Sequence, residues 1–336
     1  MTTTTTIEQL VERMRAGDRR SLGRLLTIVE QGGPDAVSAL HAAHQYTGHA
    51  YVIGITGPPG AGKSTTTDRL IALFRAAGKT VGVLAVDPTS PFTGGAFLGD
   101  RIRMQTHYLD SGVFIRSMAT RGSSGGLPRM VKASLRILDA SAKDVIIVET
   151  VGVGQTEVEV MRVVDSVVVV LVPEAGDAIQ TMKAGLLEIA DIFVVNKADR
   201  PGAGRLLTEL EAMLNMTPTA PWWRPPVLEM QAANNVGVDR LFQAVQEHRD
   251  ALEKSSRLTQ KRNERHRQEF FSTLEEEAGA LLKRLSKREG EVATHLAKVE
   301  DGSEDPYVAA ALVLRDGAFL RDWLAEQQRP AQPDLP

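Results

Sequence analysis

The chain has 336 residues, of which 43% are hydrophobic and 24% are charged, with a net charge of -3 and no cysteine. This length accommodates one large α/β domain with appendages, or two domains. The charge gives no electrostatic footprint for nucleic acid. No stretch approaches the roughly 18 apolar residues of a membrane span, and without cysteine the chain has no disulfide, thiolate metal site or cysteine nucleophile. Met1 and the five threonines after it lack the features of a signal peptide, so we expect a cytoplasmic enzyme that binds neither nucleic acid nor membrane.

The chain opens with helices and continues with a strand-rich core. Residues 7–46 predict two or three short amphipathic helices, broken at Gly17-Asp18 and at Gly32-Gly33-Pro34. Short apolar runs rich in Val and Ile then predict strands buried on both faces, at 51–56, 81–86, 113–118, 145–148, 166–172, 192–195 and 227–230. Helical patterns separate several of these runs, at 64–77, 129–140, 156–164 and 178–190. This alternation predicts an α/β fold with a mainly parallel sheet and helices on both faces.

The segment after the first predicted strand matches a phosphate-binding loop, Gly-x-x-x-x-Gly-Lys-Ser. Its glycines allow successive backbone N–H groups to turn towards a phosphate, and the following helix directs its positive end at the anion. Lys63 would reach the β- and γ-phosphates, and Ser64 would ligate Mg²⁺. The predicted nucleoside triphosphate contacts are Gly57, Pro58, Pro59, Gly60, Ala61, Gly62, Lys63, Ser64 and Thr65.

The γ-phosphate side is predicted from the run 145–155, where Glu149 ends an apolar strand three residues before Gly152. This spacing resembles a Walker B and second-switch segment. Glu149 would hold Mg²⁺ directly or through water, and the Gly152 N–H would sense the γ-phosphate. Asp87 and Asp100 are further candidate Mg²⁺ oxygens, although an Asp after Gly is also an ordinary helix cap. Gln155 is the candidate for positioning water, but it lies three residues beyond Gly152, so we expect slow intrinsic hydrolysis.

Base selection is predicted from Asn196-Lys197-Ala198-Asp199, directly after the sixth predicted strand. A carboxylate at Asp199 would accept hydrogen bonds from guanine N1 and its exocyclic amine, for which adenine has no matching donor pair. The Lys197 stem would lie along the base, and Asn196 would brace the loop. After the last strand, Gln231, Ala232 and Ala233 stand where a backbone N–H could meet guanine O6, with Ala232 as the first candidate.

The C-terminal part predicts a charged helical arm. Residues 239–298 carry a partial apolar stripe, including Phe242, Phe270, Phe271 and Leu274, which must pack on its own domain or on a partner, most simply a second copy. The predicted organisation is an N-terminal helical extension (1–48), a GTPase domain (49–246), a C-terminal dimerisation arm (247–326) and a disordered tail (327–336).

Taken together, the motifs between residues 51 and 199 resemble the MeaB-type GTPases, also called the ArgK group. The most specific matches are Glu149–Gln155 and the Gly94-Gly95…Leu98-Gly99-Asp100 segment. The resemblance implies a homodimeric GTPase that acts as a chaperone for an adenosylcobalamin-dependent acyl-CoA mutase. It implies Ser64, Asp87, Asp100 and Glu149 as the Mg²⁺ environment and Lys63 as the γ-phosphate contact. It also implies that the segment 173–183 is an additional switch loop that relays nucleotide state to the mutase, and that Lys183 in this loop is a catalytic candidate suited to contact a phosphate or the partner.

Methylmalonyl-CoA mutase is the first expected client, and an isobutyryl- or 2-hydroxyisobutyryl-CoA mutase is the next. Two other classes stay open. A nickel-type metal-delivery GTPase usually carries Cys or His clusters, whereas this chain has no Cys and seven mostly scattered His. A kinase would have no use for the Asn-Lys-x-Asp guanine motif.

Overall fold

The computed structural model describes residues 5–87, 105–119, 126–150, 159–173, 189–216, 222–288, 290–315 and 317–327. Its centre is a seven-stranded sheet in the order β3-β2-β4-β1-β5-β6-β7, in which all neighbouring strands are parallel. The strands are β1 (Tyr51–Thr56), β2 (Val81–Asp87), β3 (Val113–Ala119), β4 (Val145–Thr150), β5 (Ser166–Leu171), β6 (Ile192–Asn196) and β7 (Val227–Met230). The predicted α/β fold with a parallel sheet is therefore confirmed, and each predicted run corresponds to one strand.

Consecutive residues of a strand enter different hydrophobic clusters. In β5, Val167 and Val169 belong to one buried cluster, and Val168 and Val170 belong to another. Side chains of a strand alternate between the two faces of a sheet, so the two clusters correspond to its two faces. This explains why the predicted strands are continuous Val and Ile runs without polar alternation. Each fully buried valine contributes on the order of 1.5–3 kcal/mol of transfer free energy.

Three N-terminal helices pack with later helices on one side of the sheet. They are α1 (Ile7–Arg15), α2 (Arg19–Gln31) and α3 (Pro34–Ala43), and their breaks fall at the predicted positions. Thr6 forms a capping box at α1, Asp18 accepts from two backbone N–H groups at the start of α2, and Pro34 occupies the first turn of α3. The buried side chains of these helices share a hydrophobic cluster with α5 (Gly126–Ala140), α6 (Ala203–Met216) and one face of the sheet. The N-terminal helices thus pack on the core.

The opposite face of the sheet is covered by α4 (Lys63–Ala76) and α7 (Val238–Lys254). Leu70, Ile71 and Phe74 of α4 are buried there beside Leu241 and Val245 of α7. Helix α4 starts where the phosphate loop ends, so this packing fixes the loop relative to the sheet. Of the other helical patterns, 156–164 is described only from residue 159 and 178–190 only from residue 189.

The chain divides into two compact units, 1–261 and 262–336. Helix α8 (Arg257–Leu285) crosses this boundary and is followed by α9 (Glu291–Glu300), α10 (Pro306–Arg315) and α11 (Ala318–Gln327). Within the second unit Leu285, Val292 and Val313 form a small buried cluster. The predicted arm 239–298 is therefore three helices, interrupted at Ser255-Ser256 and again after Leu285. The predicted domain boundaries stay a prediction. Residues 328–336 of the predicted tail lie outside the described residues.

A buried polar cluster occupies the amino edge of the sheet, where β1, β5 and β6 begin. The Tyr51 hydroxyl is hydrogen-bonded to Ser166 Oγ, which lies 2.6 Å from His248 Nδ1. His248 Nε2 lies 3.3 Å from Asp191 Oδ1, without the alignment of a hydrogen bond. Burial lowers the pKa of His248, and the negative charge of Asp191 opposes that shift. This cluster connects α7 to β1, to β5 and to the residue before β6.

None of the helices in the described part of the chain is long and apolar enough to cross a membrane.

Candidate nucleotide-binding site

The phosphate loop connects the carboxyl end of β1 to the start of α4. Gly57, Gly60 and Gly62 have φ angles of +143°, +76° and +91°, which side chains rarely adopt. A Cβ at Gly57 would collide with the backbone carbonyl of Val170 in β5, and a Cβ at Gly62 would collide with the side-chain amide of Asn196. The strands beside the loop therefore leave no room for larger residues at these two positions.

Lys63 is the first residue of α4 and is buried under the loop. Its Nζ donates hydrogen bonds to the carbonyl oxygens of Gly57 (2.9 Å) and Pro58 (3.0 Å). The ammonium group is thus held at the positive end of a 14-residue helix, among backbone groups of a tight loop. Positive charge and helix N–H groups at one point form an environment suited to phosphate.

Ser64, Thr67 and Glu149 meet at the junction of α4 and β4. Ser64 Oγ donates to one carboxylate oxygen of Glu149 at 2.6 Å, and Thr67 Oγ1 donates to the other at 2.8 Å. All three side chains are buried. A hydroxyl and a carboxylate side by side are the hard oxygen ligands that Mg²⁺ prefers, so these residues fit the predicted metal.

The strand is longer than the predicted apolar run 145–148, because β4 continues through Glu149 to Thr150. Asp87 is the last residue of β2, and the preceding Val86 pairs with Thr150. The main chain at Asp87 therefore lies beside the end of β4. Its side chain, and the predicted site residues Asp100, Gly152, Gln155 and Lys183, lie outside the described residues.

Asn196 connects the phosphate loop to the segment after β7. Its Nδ2 donates to the carbonyl of Ala61 at 2.8 Å, and its Oδ1 accepts from the Ala232 N–H at 3.0 Å. Asn196 is 3% exposed, so both hydrogen bonds are shielded from water. The bracing role predicted for Asn196 thus has two partners, on loops that are far apart in sequence.

Lys197 and Asp199, the two residues predicted to contact guanine, lie shortly after Asn196 in the chain. Lys197 has φ +56°, a left-handed conformation that is uncommon for a residue with a side chain and that clusters at functional sites. Asp199 is exposed at the end of the same turn. The turn is fixed by the Ala198 N–H, which donates to the Met230 carbonyl at 3.1 Å. Asp199 is therefore accessible on a turn that is held at Asn196 and at Ala198.

The Gln231–Ala233 segment follows β7, with Gln231 in an isolated bridge to Val236 and Ala232 at the start of a short 3₁₀ helix, Ala232–Asn234. The Gln231 side chain accepts a hydrogen bond from Asn234. The Ala232 N–H already donates to Asn196, which sequence reasoning did not anticipate. Of the two alanines, Ala233 is thus the better candidate donor to guanine O6.

Thr67 contacts Glu149 in the candidate site but is not among the residues predicted from the sequence. It lies three residues after Ser64, and positions three apart in a helix share a face. That spacing is the signal that the sequence offers. However, a Thr-Thr-Thr run at 65–67 does not show which hydroxyl faces Glu149.

Comparison with known proteins agrees with this geometry. Residues 22–289 match the family described as methylmalonyl Co-A mutase-associated GTPase MeaB. The chain belongs to the MeaB family. It is a P-loop GTPase, so the predicted family and activity are confirmed.

The relatives of this MeaB-family protein include bacterial, archaeal and mammalian proteins. A protein of Pyrococcus abyssi is 49% identical over 314 residues, which cover 92% of this chain and 96% of that protein. The GTPase ArgK of Escherichia coli K12 is 36% identical, covering 81% and 85%. The methylmalonic aciduria type A homolog, mitochondrial, of Mus musculus is 32% identical, covering 78% and 64%. Among solved structures, a LAO/AO transport system kinase superposes with a TM-score of 0.68 at 28% identity, covering 94% of this chain and 98% of that one.

Proposed function

We propose that this MeaB-family protein couples GTP binding and hydrolysis to the loading or protection of an adenosylcobalamin-dependent acyl-CoA mutase. The observation that carries the proposal is the Asn196 bridge. One buried side chain holds the phosphate loop and the base-binding segments in a fixed relation, as a site that selects both the phosphates and the base requires. The family description and the mammalian relative's name support the mutase as client.

On the phosphate side, Lys63 and the N-terminus of α4 would bind the β- and γ-phosphates. Ser64 and Glu149 would hold Mg²⁺, with Asp87 and Asp100 as further candidate ligands. When bound, the ion would supply charge neutralisation for the β- and γ-phosphate oxygens. Ser64 Oγ donates to Glu149 in the described arrangement, so this hydroxyl would have to turn its lone pair towards the metal.

On the base side, Asp199 would accept from guanine N1 and the exocyclic amine, and the Lys197 stem would cover the ring. Ala233 would donate its N–H to guanine O6. Since Asp199 is exposed whereas Asn196 is buried, the two residues would have different roles. Asn196 holds the loops together, and Asp199 discriminates between the bases.

For hydrolysis, we propose that Gln155 orients the attacking water, that the Gly152 N–H senses the γ-phosphate and that Lys183 belongs to a loop that reports nucleotide state. The spacing of Gln155 from Gly152 supports slow turnover by the protein alone, with acceleration by the client. Ordering of these loops by GTP and their release on hydrolysis would change the affinity for the client.

We further propose a homodimer through the C-terminal helices. Phe270, Phe271 and Leu274 of α8 are 63%, 49% and 53% exposed, and Tyr307 of α10 is 88% exposed. Apolar side chains at such exposure on two helices of one unit support a covered surface in the assembled protein. Phe242 is predicted to belong to the same apolar stripe of residues 239–298. It instead packs against the buried cluster of the first unit. The cytoplasmic location stays a prediction.

The test is nucleotide turnover with and without purified methylmalonyl-CoA mutase. Wild type and Lys63→Ala are compared with Lys254→Ala, a control at a lysine whose side chain is 81% exposed. We expect wild type and the control to hydrolyse GTP, and the mutase to accelerate this hydrolysis. In Lys63→Ala we expect neither hydrolysis nor acceleration. GTP turnover that no mutase changes in rate or binding would exclude this client and direct the search to the isobutyryl- and 2-hydroxyisobutyryl-CoA mutases. Preferential ATP turnover would contradict the guanine assignment and favour a kinase.

A further inference from the structure

The carboxylate of Glu149 has two hydroxyl donors on α4, one for each oxygen. Ser64 contacts Oε1 at 2.6 Å and Thr67 contacts Oε2 at 2.8 Å. Ser64 and Thr67 are one helical turn apart, and Glu149 lies in β4 on the strand next to β1. The carboxylate plane is therefore fixed from one helix at both oxygens.

The two hydroxyl donors would differ in whether they keep their hydrogen bond to Glu149 when a metal is bound. Ser64 is itself a predicted metal ligand, so its oxygen would be occupied by the ion. Thr67 lies one turn further along α4 and is fully buried, so it can keep its hydrogen bond to Oε2. A carboxylate held at one oxygen by a fixed donor presents the other oxygen in one orientation. Residues that orient metal ligands in this way typically change metal affinity 10- to 100-fold when removed.

We infer that Thr67 is a positioning residue, which holds Oε2 of Glu149 so that Oε1 would face the Mg²⁺ held at Ser64. The inference rests on the proposed magnesium site and deepens it. It assigns no contact between Thr67 and the nucleotide. Thr67 acts only through the Glu149 carboxylate.

The neighbouring threonine offers a matched control. Thr66 is also fully buried on α4, but its Oγ1 donates to the backbone carbonyl of Gly62 at 2.9 Å. Thr66→Val and Thr67→Val make the same chemical change at adjacent positions of equal burial. Only the second removes a hydrogen bond from Glu149. Thr67→Ser keeps the hydroxyl and removes one methyl group.

The experiment measures Mn²⁺ binding to the protein–GDP complex by electron paramagnetic resonance, with Mg²⁺ as competitor, and GDP affinity in EDTA. We expect Thr67→Val to weaken Mn²⁺ and Mg²⁺ binding about 10- to 100-fold, with GDP affinity in EDTA unchanged. Thr67→Ser should restore metal affinity, and Thr66→Val should leave it within about threefold of wild type. If Thr67→Val does not fold, Thr67→Ala takes its place.

The outcomes separate the inference from the site on which it rests. Metal affinity in Thr67→Val equal to that of wild type, or equal losses in Thr66→Val and Thr67→Val, would overturn the positioning role and leave the magnesium site intact. Wild-type GDP binding without any bound Mn²⁺ would overturn the proposed metal site and the positioning role together.

Discussion

Replacing Asn196 with alanine should destabilise the first unit even without nucleotide. The substitution removes both hydrogen bonds of the bridge and leaves the Ala61 carbonyl and the Ala232 N–H without their partner. The site is nearly inaccessible to water. Each buried polar group left without a hydrogen bond costs about 1–3 kcal/mol. The expected loss of unfolding free energy is therefore about 2–6 kcal/mol.

The assay is calorimetric unfolding of the nucleotide-free protein, with Asp199→Ala as the control. Asp199 is exposed and lies on the same turn, so its removal should change stability by no more than about 0.5 kcal/mol. Asn196→Ala should also lose affinity for both GDP and ADP, because the phosphate loop and the base segment are no longer held together. Equal melting temperatures for Asn196→Ala and Asp199→Ala would refute the argument that the buried bridge organises the site.

Three further substitutions test other parts of the structure. His248→Gln should reduce the loss of stability on acidification, because the pKa of His248 is lowered in the fold and the unfolded chain takes up a proton first as pH falls below about 6.5. Melting curves at pH 7.5 and 5.5 measure this, and an equal drop for wild type and variant would contradict it. Gly62→Ala should destabilise by more than about 1 kcal/mol and weaken GDP binding, because its Cβ meets Asn196 at φ +91°; calorimetry gives both values, and wild-type behaviour would contradict the collision. Arg116→Met should cost about 1.5–3 kcal/mol, since the half-buried Arg116 makes two hydrogen bonds to Glu30 of α2; a double-mutant cycle with Glu30→Gln in urea tests the pair, and a coupling near zero would contradict it.

The sheet could be predicted from sequence because its strands are buried on both faces. Runs such as 166–171 have no other stable environment than a covered sheet. The phosphate loop could be predicted because its glycines are required by backbone geometry within a few residues. Both signals are local, and local patterns are what a sequence displays directly.

The hydrogen bonds that organise the site could not be predicted, because their partners are far apart along the chain. Thr67 and Glu149 are separated by 82 positions, and Asn196 and Ala61 by 135. The break between α7 and α8 was missed for another reason. It occurs at Ser255-Ser256, where Ser256 takes φ +57°. No glycine or proline marks this position in the sequence as a helix break.

The most direct test of guanine selection by Asp199 is calorimetric binding of GDP, ADP and XDP to wild type and to Asp199→Asn. Xanthine carries a carbonyl where guanine carries the amine, so an amide at position 199 can donate to it where a carboxylate cannot. Wild type should prefer GDP over both other nucleotides by about 100-fold, as one bidentate base contact of up to ~3 kcal/mol allows. Asp199→Asn should prefer XDP. Equal binding of ADP and GDP by wild type, or an unchanged preference in Asp199→Asn, would contradict the assignment of this site to guanine nucleotides.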